Sequence, residues 1–310
     1  MQETELNKQY QYLIGVDGGG TGTRVLLADA NGVELGRGSA GPSGLMHGAG
    51  PAWLSILSAI KLAFLEAGLA VPVYGEIALG CGLAGVNNKQ WAADFAAKNP
   101  GFADVVLDTD AGTTLLGAHQ GEPGVVIALG TGSVGEVMMA DGSRREVGGW
   151  GFPSSDEASG AWLGLRAINH VQQVLDGRSE ADDFSAALIA YCLAQSGADT
   201  GNAKDAVFNW LAQANQTKFA QLAPIVIACA PRVAQANEIM LAAGAEVAKM
   251  AHALDPSGLM PIALCGGLAE PMTAYLPQEL KQRVIKPRGD SASGALILVK
   301  NHFMKCLSEG

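Results

Sequence analysis

Apolar and polar positions along the chain fall into two repeating stretches. Residues 12–39 read YLIGVD-GGGTGT-RVLLADANGVELGRGS. An apolar strand ends at Asp17, a Gly/Thr turn follows, and a second apolar strand runs to Ala28. An Asn31-Gly32 turn then leads into an alternating strand through Val33 and Leu35. Residues 124–147, GVVIAL-GTGS-VGEVMMADGSRREV, follow the same plan, with Asp141-Gly142 as the second turn. Asp17 to Asp29 spans 12 residues and Gly130 to Asp141 spans 11, so two β-β-β meanders with glycine tips predict duplicated halves.

Between and after the meanders the period changes. Trp53, Leu54, Leu57, Ile60, Phe64 and Leu65 predict an amphipathic helix over 51–69. Ile77–Leu79 and Val105–Leu107 predict buried parallel strands, with a helix near 88–98 between them and another over 110–119. An alanine-rich stretch from Glu157 to Leu254 predicts helices interrupted at Pro224 and Pro231. Met260–Cys265 reads as a strand ending in Gly266-Gly267, and 291–302 as a helix.

Length and composition narrow the function classes. At 310 residues the expectation is two domains. A net charge of −10 argues against nucleic acid and anionic membrane as partners. The five cysteines (81, 192, 229, 265, 306) include no C-x-x-C pair, and the five histidines lie at least 50 residues apart, so neither a disulfide framework nor a zinc motif is expected. The polar start MQETELNKQY lacks the features of a signal peptide, and no apolar run reaches the roughly 20 residues of a membrane span. The expected location is cytoplasmic, and the Asn215-Gln216-Thr217 sequon is expected to be incidental.

The glycine tips carry the candidate chemistry. A Gly/Thr/Ser turn can aim successive backbone N–H groups into one concavity, and missing Cβ atoms let an oxyanion reach them. Two facing tips would clamp a polyphosphate. Asp17, at the mouth of the first, suits Mg²⁺ held partly through water. Ordinary hairpin turns are the alternative, disfavoured by their recurrence. Gly130 to Gly135 spells G-x-G-x-x-G, but the following residues predict a strand where a dinucleotide fold needs a helix. The chain has no Gly-Lys, so the phosphate-binding lysine motif is excluded.

Asp17-Gly18-Gly19-Gly20-Thr21-Gly22-Thr23, Leu129-Gly130-Thr131-Gly132-Ser133, Gly148-Gly149-Trp150-Gly151 followed by Asp156-Glu157, and Cys265-Gly266-Gly267 occur in this order. In that order they resemble the N-acetylglucosamine kinases. These lie in the BadF/BadG/BcrA/BcrD ATPase-like branch of the actin, hexokinase and heat-shock chaperone superfamily. The resemblance covers essentially the whole chain and implies an α/β fold of two ribonuclease-H-like (actin/hexokinase-type) domains with a cleft between them. The expected boundaries are 1–118, with 290–310 packing back on it, and 119–289 with a helical insertion over 157–255.

What the resemblance implies is ATP and Mg²⁺ as cofactors and phosphorylation of an amino sugar at its 6-hydroxyl. Asp17, Gly18, Gly19, Gly20, Thr21, Gly22 and Thr23 are similar to the first phosphate loop, and Gly130, Thr131, Gly132 and Ser133 to the second. Gly266 and Gly267 are similar to the adenosine motif. Asp110 matches the catalytic aspartate, with Asp108 as its competitor, and a plain helix cap as its bland alternative. Gly149, Trp150, Gly151 and Asp156 match the sugar site; Trp150 could instead be core and Asp156 a cap. Relatives that bind the N-acetyl sugar usually carry Asn after a Gly-Pro-Ser-like segment; here Gly44 follows Gly41-Pro42-Ser43, which leaves glucosamine and N-acetylglucosamine both open. The other readings are an activator ATPase of an acyl-CoA dehydratase or reductase, weakened by the absence of Cys between 81 and 192, and a non-catalytic ATP-binding switch. The insertion's helical surface offers a face for a homodimer.

Overall fold

The computed structural model describes residues 10–195 and 202–309, with side chains through Phe303. Expectations for residues 1–9, for 196–201 of the insertion and for the Cys306 side chain lie outside the described residues. The chain divides into two compact units: one runs to Gly124 and takes in 138–142 and 286–310, and the other comprises 125–137 and 143–285.

In the first unit, β1 (Tyr12–Gly18), β2 (Thr23–Asp29) and β3 (Glu34–Ala40) form the predicted meander. Then come α1 (Ala49–Glu66), β4 (Ile77–Leu83), α2 (Lys89–Ala97), β5 (Asp104–Asp108) and α3 (Asp110–His119). The sheet order is β3-β2-β1-β4-β5, antiparallel through the meander and parallel from β1 to β5. In the register, Asp17 lies opposite Arg24 on one side and Gly82 on the other.

The second unit repeats the order. β6 (Gly124–Leu129), β7 (Ser133–Met138) and β8 (Arg144–Gly148) precede, among the described residues, six helices: α4 (Gly160–Leu175), α5 (Asp183–Gln195), α6 (Ala203–Leu211), α7 (Gln216–Ala220), α8 (Ala223–Cys229) and α9 (Ala234–Leu254). Next are β9 (Ile262–Cys265), the short α10 (Ala269–Thr273) and α11 (Gln278–Lys281), and β10 (Val284–Ile285). The sheet reads β8-β7-β6-β9-β10, matching the first strand for strand. The chain finishes with α12 (Ser291–Glu309), which packs on β1, β4 and α3 of the first unit.

Local chemistry sets the helix limits. Asn88 caps α2 through Gln90 and Trp91 N–H, Thr109 caps α3 through Gly112 N–H, and Ser159 caps α4 through Trp162 N–H. Helix α4 thus begins at Gly160, three residues after the predicted Glu157. Pro224 sits in the first turn of α8, where its missing N–H costs nothing, and Pro231 follows that helix's end.

Helix α1 is 18 residues long and apolar enough by composition to cross a bilayer, but Trp53, Ile56, Ile60 and Phe64 are buried in the core against the sheet. There Trp53 stacks on Phe95 with centroids 4.3 Å apart. On the opposite face α12 approaches so closely that a Cβ at Gly15 would overlap the carbonyl oxygen of Ala292. Phe303, Leu296 and Val299 seal this side with Leu13 and Leu26.

Candidate active site

The apolar run of β1 ends at Asp17, and the pairing of Gly18 with Thr23 leaves Gly19–Gly22 as the turn. Gly19 N–H donates to Gly22 O at 3.0 Å, closing the tip. Gly19 O accepts from Ser43 N–H at 3.2 Å and Gly44 N–H at 3.0 Å, so the Gly41–Gly44 segment lies against the loop. Thr23 is buried, its hydroxyl 2.6 Å from Gly41 O and 2.7 Å from Ser43 Oγ, which makes it the fastener of that segment. A Cβ at Gly18 would overlap Ser43 Oγ, whereas one at Gly20 would meet nothing within 4 Å. Gly20 and Thr21 are exposed at the tip.

Asp17 and Asp110 belong to one cluster. Asp110 is the first residue of α3; it follows the Thr109 cap, and its carboxylate accepts from Ala111 N–H at 3.0 Å. Its carboxyl is reachable from solvent, yet the surrounding protein desolvates it and raises its pKa, while that N–H opposes the rise. Asp108, at the end of β5, accepts from Thr109 N–H at 2.8 Å.

The Asp17 pKa is also raised, first by burial. The Arg24 guanidinium, 3.4 Å away, and a hydrogen bond with Ser291 pull it down; the charges of Asp110 and Asp290 push it up. Ser291 Oγ lies 2.8 Å from Thr113 Oγ1, so the starts of α3 and α12 meet at Asp17 through a pair of hydroxyls. Asp290 stays ionised despite burial, because Ser293 N–H and Arg37 (2.6 Å) hold its carboxylate.

In the second unit Gly130 N–H donates to Gly132 O at 2.9 Å, the counterpart of the Gly19–Gly22 closure. Gly130 O and Thr131 O accept from Gly160 N–H (2.8 Å) and Ala161 N–H (3.2 Å), pinning the loop to the start of α4. Ser133 is buried and donates its hydroxyl to Glu157 O at 2.7 Å. Asp156 lies directly behind Gly132 and is 4% exposed. Its Oδ1 accepts Ser133 N–H at 3.2 Å and its Oδ2 accepts Gln216 Nε2 at 2.7 Å. Burial raises its pKa, with Ser133 N–H opposing.

Gly148, Gly149 and Gly151 all have positive φ (84°, 71° and 92°) and lift Trp150 out of the chain's path. Gly149 N–H donates to Ser133 O at 3.2 Å, placing this segment beside the second loop. Trp150 is 86% exposed, so the core alternative does not hold. Asp156 and Ala158 also take left-handed φ (65° and 66°), a cost of about 1–3 kcal/mol each. Gly266, at φ 88°, rests so tightly on the Leu129 carbonyl that a Cβ would overlap it, and Gly267 is open. Leu268 N–H donates to Leu129 O at 3.1 Å, so the Gly-Gly pair adjoins the second loop.

The predicted residues therefore gather in two places. Asp17–Thr23 and Asp110 lie in the first unit; Gly130–Ser133, Gly149–Gly151, Asp156 and Gly266-Gly267 lie in the second. Sequence reading missed Ser43, Thr113, Gln216 and Ser291, whose roles depend on partners up to 178 residues away. Among the described residues, Cys81, Cys192, Cys229 and Cys265 form no disulfide, and no group of three His, Cys, Asp or Glu could hold a metal ion by itself.

The chain is 31% identical over 290 residues to a glucosamine kinase of Vibrio cholerae, covering 92% of this chain and 95% of the relative. A crystal structure from Chromobacterium violaceum, provisionally assigned as an N-acetylglucosamine kinase, is 45% identical with a TM-score of 0.87, covering 94% and 99% of the two chains. A glucokinase of the ROK family from Streptomyces griseus, solved with glucose and AMPPNP, shares the fold at 17% identity and a TM-score of 0.52, over 94% and 98%. The α/β fold is accordingly of the actin/hexokinase type. Residues 14–298 match the BadF/BadG/BcrA/BcrD ATPase family, and the chain belongs to that family.

Proposed function

We propose that the protein is an ATP-dependent kinase that phosphorylates an amino sugar, glucosamine or N-acetylglucosamine, at its 6-hydroxyl. The observation that carries this reading is a desolvated carboxylate, Asp110, at a helix start beside the Asp17-Gly-Gly-Gly-Thr loop. The names of the relatives support the substrate class.

In this reading the Gly19–Gly22 and Gly130–Ser133 turns take the phosphates of one nucleotide, and Gly266-Gly267 offers bare backbone to the adenosine. Trp150 presents an aromatic face to the apolar side of the sugar, and Gly149 and Gly151 present backbone. Asp156 contacts the sugar with lone pairs that Ser133, Phe152 and Gln216 leave free. Asp110 orients the 6-hydroxyl and accepts its proton as the oxygen bonds to the γ-phosphorus and the bond to the β-phosphate oxygen breaks, giving ADP. A weak base suffices for such a loose transition state.

The donor set around Asp17 fits Mg²⁺. It offers hard oxygens, and the repulsion that Asp110 and Asp290 exert on Asp17 is what a cation would relieve. With too few protein ligands to enclose it, the ion would be held through Asp17, water and nucleotide phosphates. Once bound, Mg²⁺ supplies charge neutralisation on the phosphates. ADP release measured in parallel with glucosamine, N-acetylglucosamine and glucose tests the reading. Sugar-dependent release with an amino sugar supports it; release no faster than with water overturns it.

A further inference from the structure

Helix α7 is only five residues long, yet it reaches two parts of the second unit's candidate site. Gln216, at its start, holds Asp156 behind the second glycine loop. Phe219, three residues on, meets a different segment: its ring tilts against that of Phe152, with centroids 5.3 Å apart. Trp210 of α6 also contacts Phe219, in a T-shaped pair at 5.2 Å. Phe219 and Trp210 are both buried. The backbone of α7 is set as firmly as its side chains. A Cβ at Gly164 of α4 would overlap the Phe219 carbonyl oxygen, and one at Gly160 would come within 3.1 Å of the Ala220 methyl. Two glycines of α4 thus let α7 lie directly against it.

The segment that Phe219 meets has little of its own to hold it. Five of the eleven residues from Gly148 to Ala158 have positive φ, and two of them, Asp156 and Ala158, are not glycine. Glycines lose the most freedom on ordering, and left-handed residues with a Cβ persist only where their surroundings over-determine them. Trp150 is 86% exposed and has glycine on both sides, so neither neighbour offers a side chain to fix it. Phe152, half-buried, is the first side chain after it, and its one ring partner among the described residues is Phe219. We infer that Phe219 is a positioning residue for the sugar. Set between Trp210 and Phe152, it holds Trp150 and the Gly149–Gly151 backbone where the amino sugar docks, while Gln216 serves the phosphate loop. The sugar's place on that segment rests on the kinase reading; the bracing by Phe219 does not.

The test is a double-mutant cycle on the full chain, read by kinetics and by proteolysis. Phe219→Leu and Phe152→Leu are each expected to raise the amino-sugar KM about tenfold, with kcat and the ATP KM within about twofold of wild type. The double variant should be no worse than either single one, because all three lack the same contact. Chymotryptic cleavage after Trp150, identified by fragment mass without substrates and well below the melting transition, should run about tenfold faster in Phe219→Leu. That arm needs no turnover: a wild type inactive on every amino sugar would sink the kinase reading and leave cleavage to decide the bracing. Should Phe219→Leu fail to fold, the half-buried Phe152→Leu carries both arms. An unchanged sugar KM, an ATP KM that rises as much as the sugar KM, multiplying effects in the double variant, or unaltered cleavage each overturns the inference.

Discussion

Gln216 and Asp156 are joined at 2.7 Å across 60 residues of sequence, and the same carboxylate accepts the Ser133 N–H. The second glycine loop is thus braced from behind by a side chain from helix α7. Removing the amide leaves a buried carboxylate oxygen short of a donor, a cost of about 1–3 kcal/mol. Gln216→Ala is expected to raise the KM for ATP by roughly tenfold with a smaller change in the sugar KM. Steady-state kinetics with each substrate varied check this.

Asp110 gives the sharpest kinetic expectation. Asp110→Asn keeps the size of the side chain but cannot accept the proton, so kcat should fall by about 10²–10⁴ while ADP binding stays within a few-fold of wild type. Coupled turnover and calorimetry on the same preparation separate the two effects. Full turnover in the variant would move the base to another residue, with Asp108 next in line.

The same carboxyl should produce opposite effects on stability. Its folded pKa is raised by burial, so ionised Asp110 favours the unfolded state at neutral pH. A group of this kind adds stability below its unfolded pKa and loses it as pH rises through the folded value. Asp110→Asn is therefore expected to melt higher than wild type at pH 7, with the gap closing as pH falls towards 4. The kcat/KM profile should lose activity on the acid side at a pH above that of an ordinary aspartate.

Ser291 acts on Asp17 by a hydrogen bond that favours the ionised carboxylate. Ser291→Ala should push the Asp17 pKa up further and raise the Mg²⁺ concentration needed for half-maximal activity by a few-fold, while Ser291→Thr restores it. A magnesium titration at pH 6 and pH 8 reads this, because the deficit should be larger at the lower pH.

Asp255, 3% exposed, accepts from Arg283 at 2.6 Å and from Met260 N–H at 2.8 Å, joining the end of α9 to the sheet. Burial works against its charge, but Ser257, the Met260 N–H and Arg283 together hold its pKa below the usual carboxylate range. A depressed pKa contributes stability above the unfolded value that is lost as pH falls through the folded one. Asp255→Ala, which strands Arg283, should cost about 3–5 kcal/mol in urea unfolding.

Much of this was legible in the chain itself. The meanders carry their own signals: apolar runs, glycine tips and Asn-Gly or Asp-Gly turns all lie within a few residues, so β1–β3 and β6–β8 follow from local pattern. The sites did not follow so directly. For Asp156, matched to the sugar site, the sequence leaves a helix cap open as the alternative, because Ser133 and Gln216, its partners, are 23 and 60 residues away. Ser291 looks like an ordinary helix start until Thr113 and Asp17 stand beside it. The two-residue β10 has too little pattern to detect, and it exists because β9 pairs with it.

Helix α12 covers the face of a sheet whose strands were all laid down before residue 109. During translation Leu13, Leu26 and Ala78 must therefore wait, uncovered, while the ribosome completes the entire second unit. Only then do Ala292, Leu296 and Val299 arrive. The amino-terminal half of the newborn polypeptide is thus a natural client for a holding chaperone, and a stop codon ahead of residue 291 should leave it insoluble even though every β-strand is present.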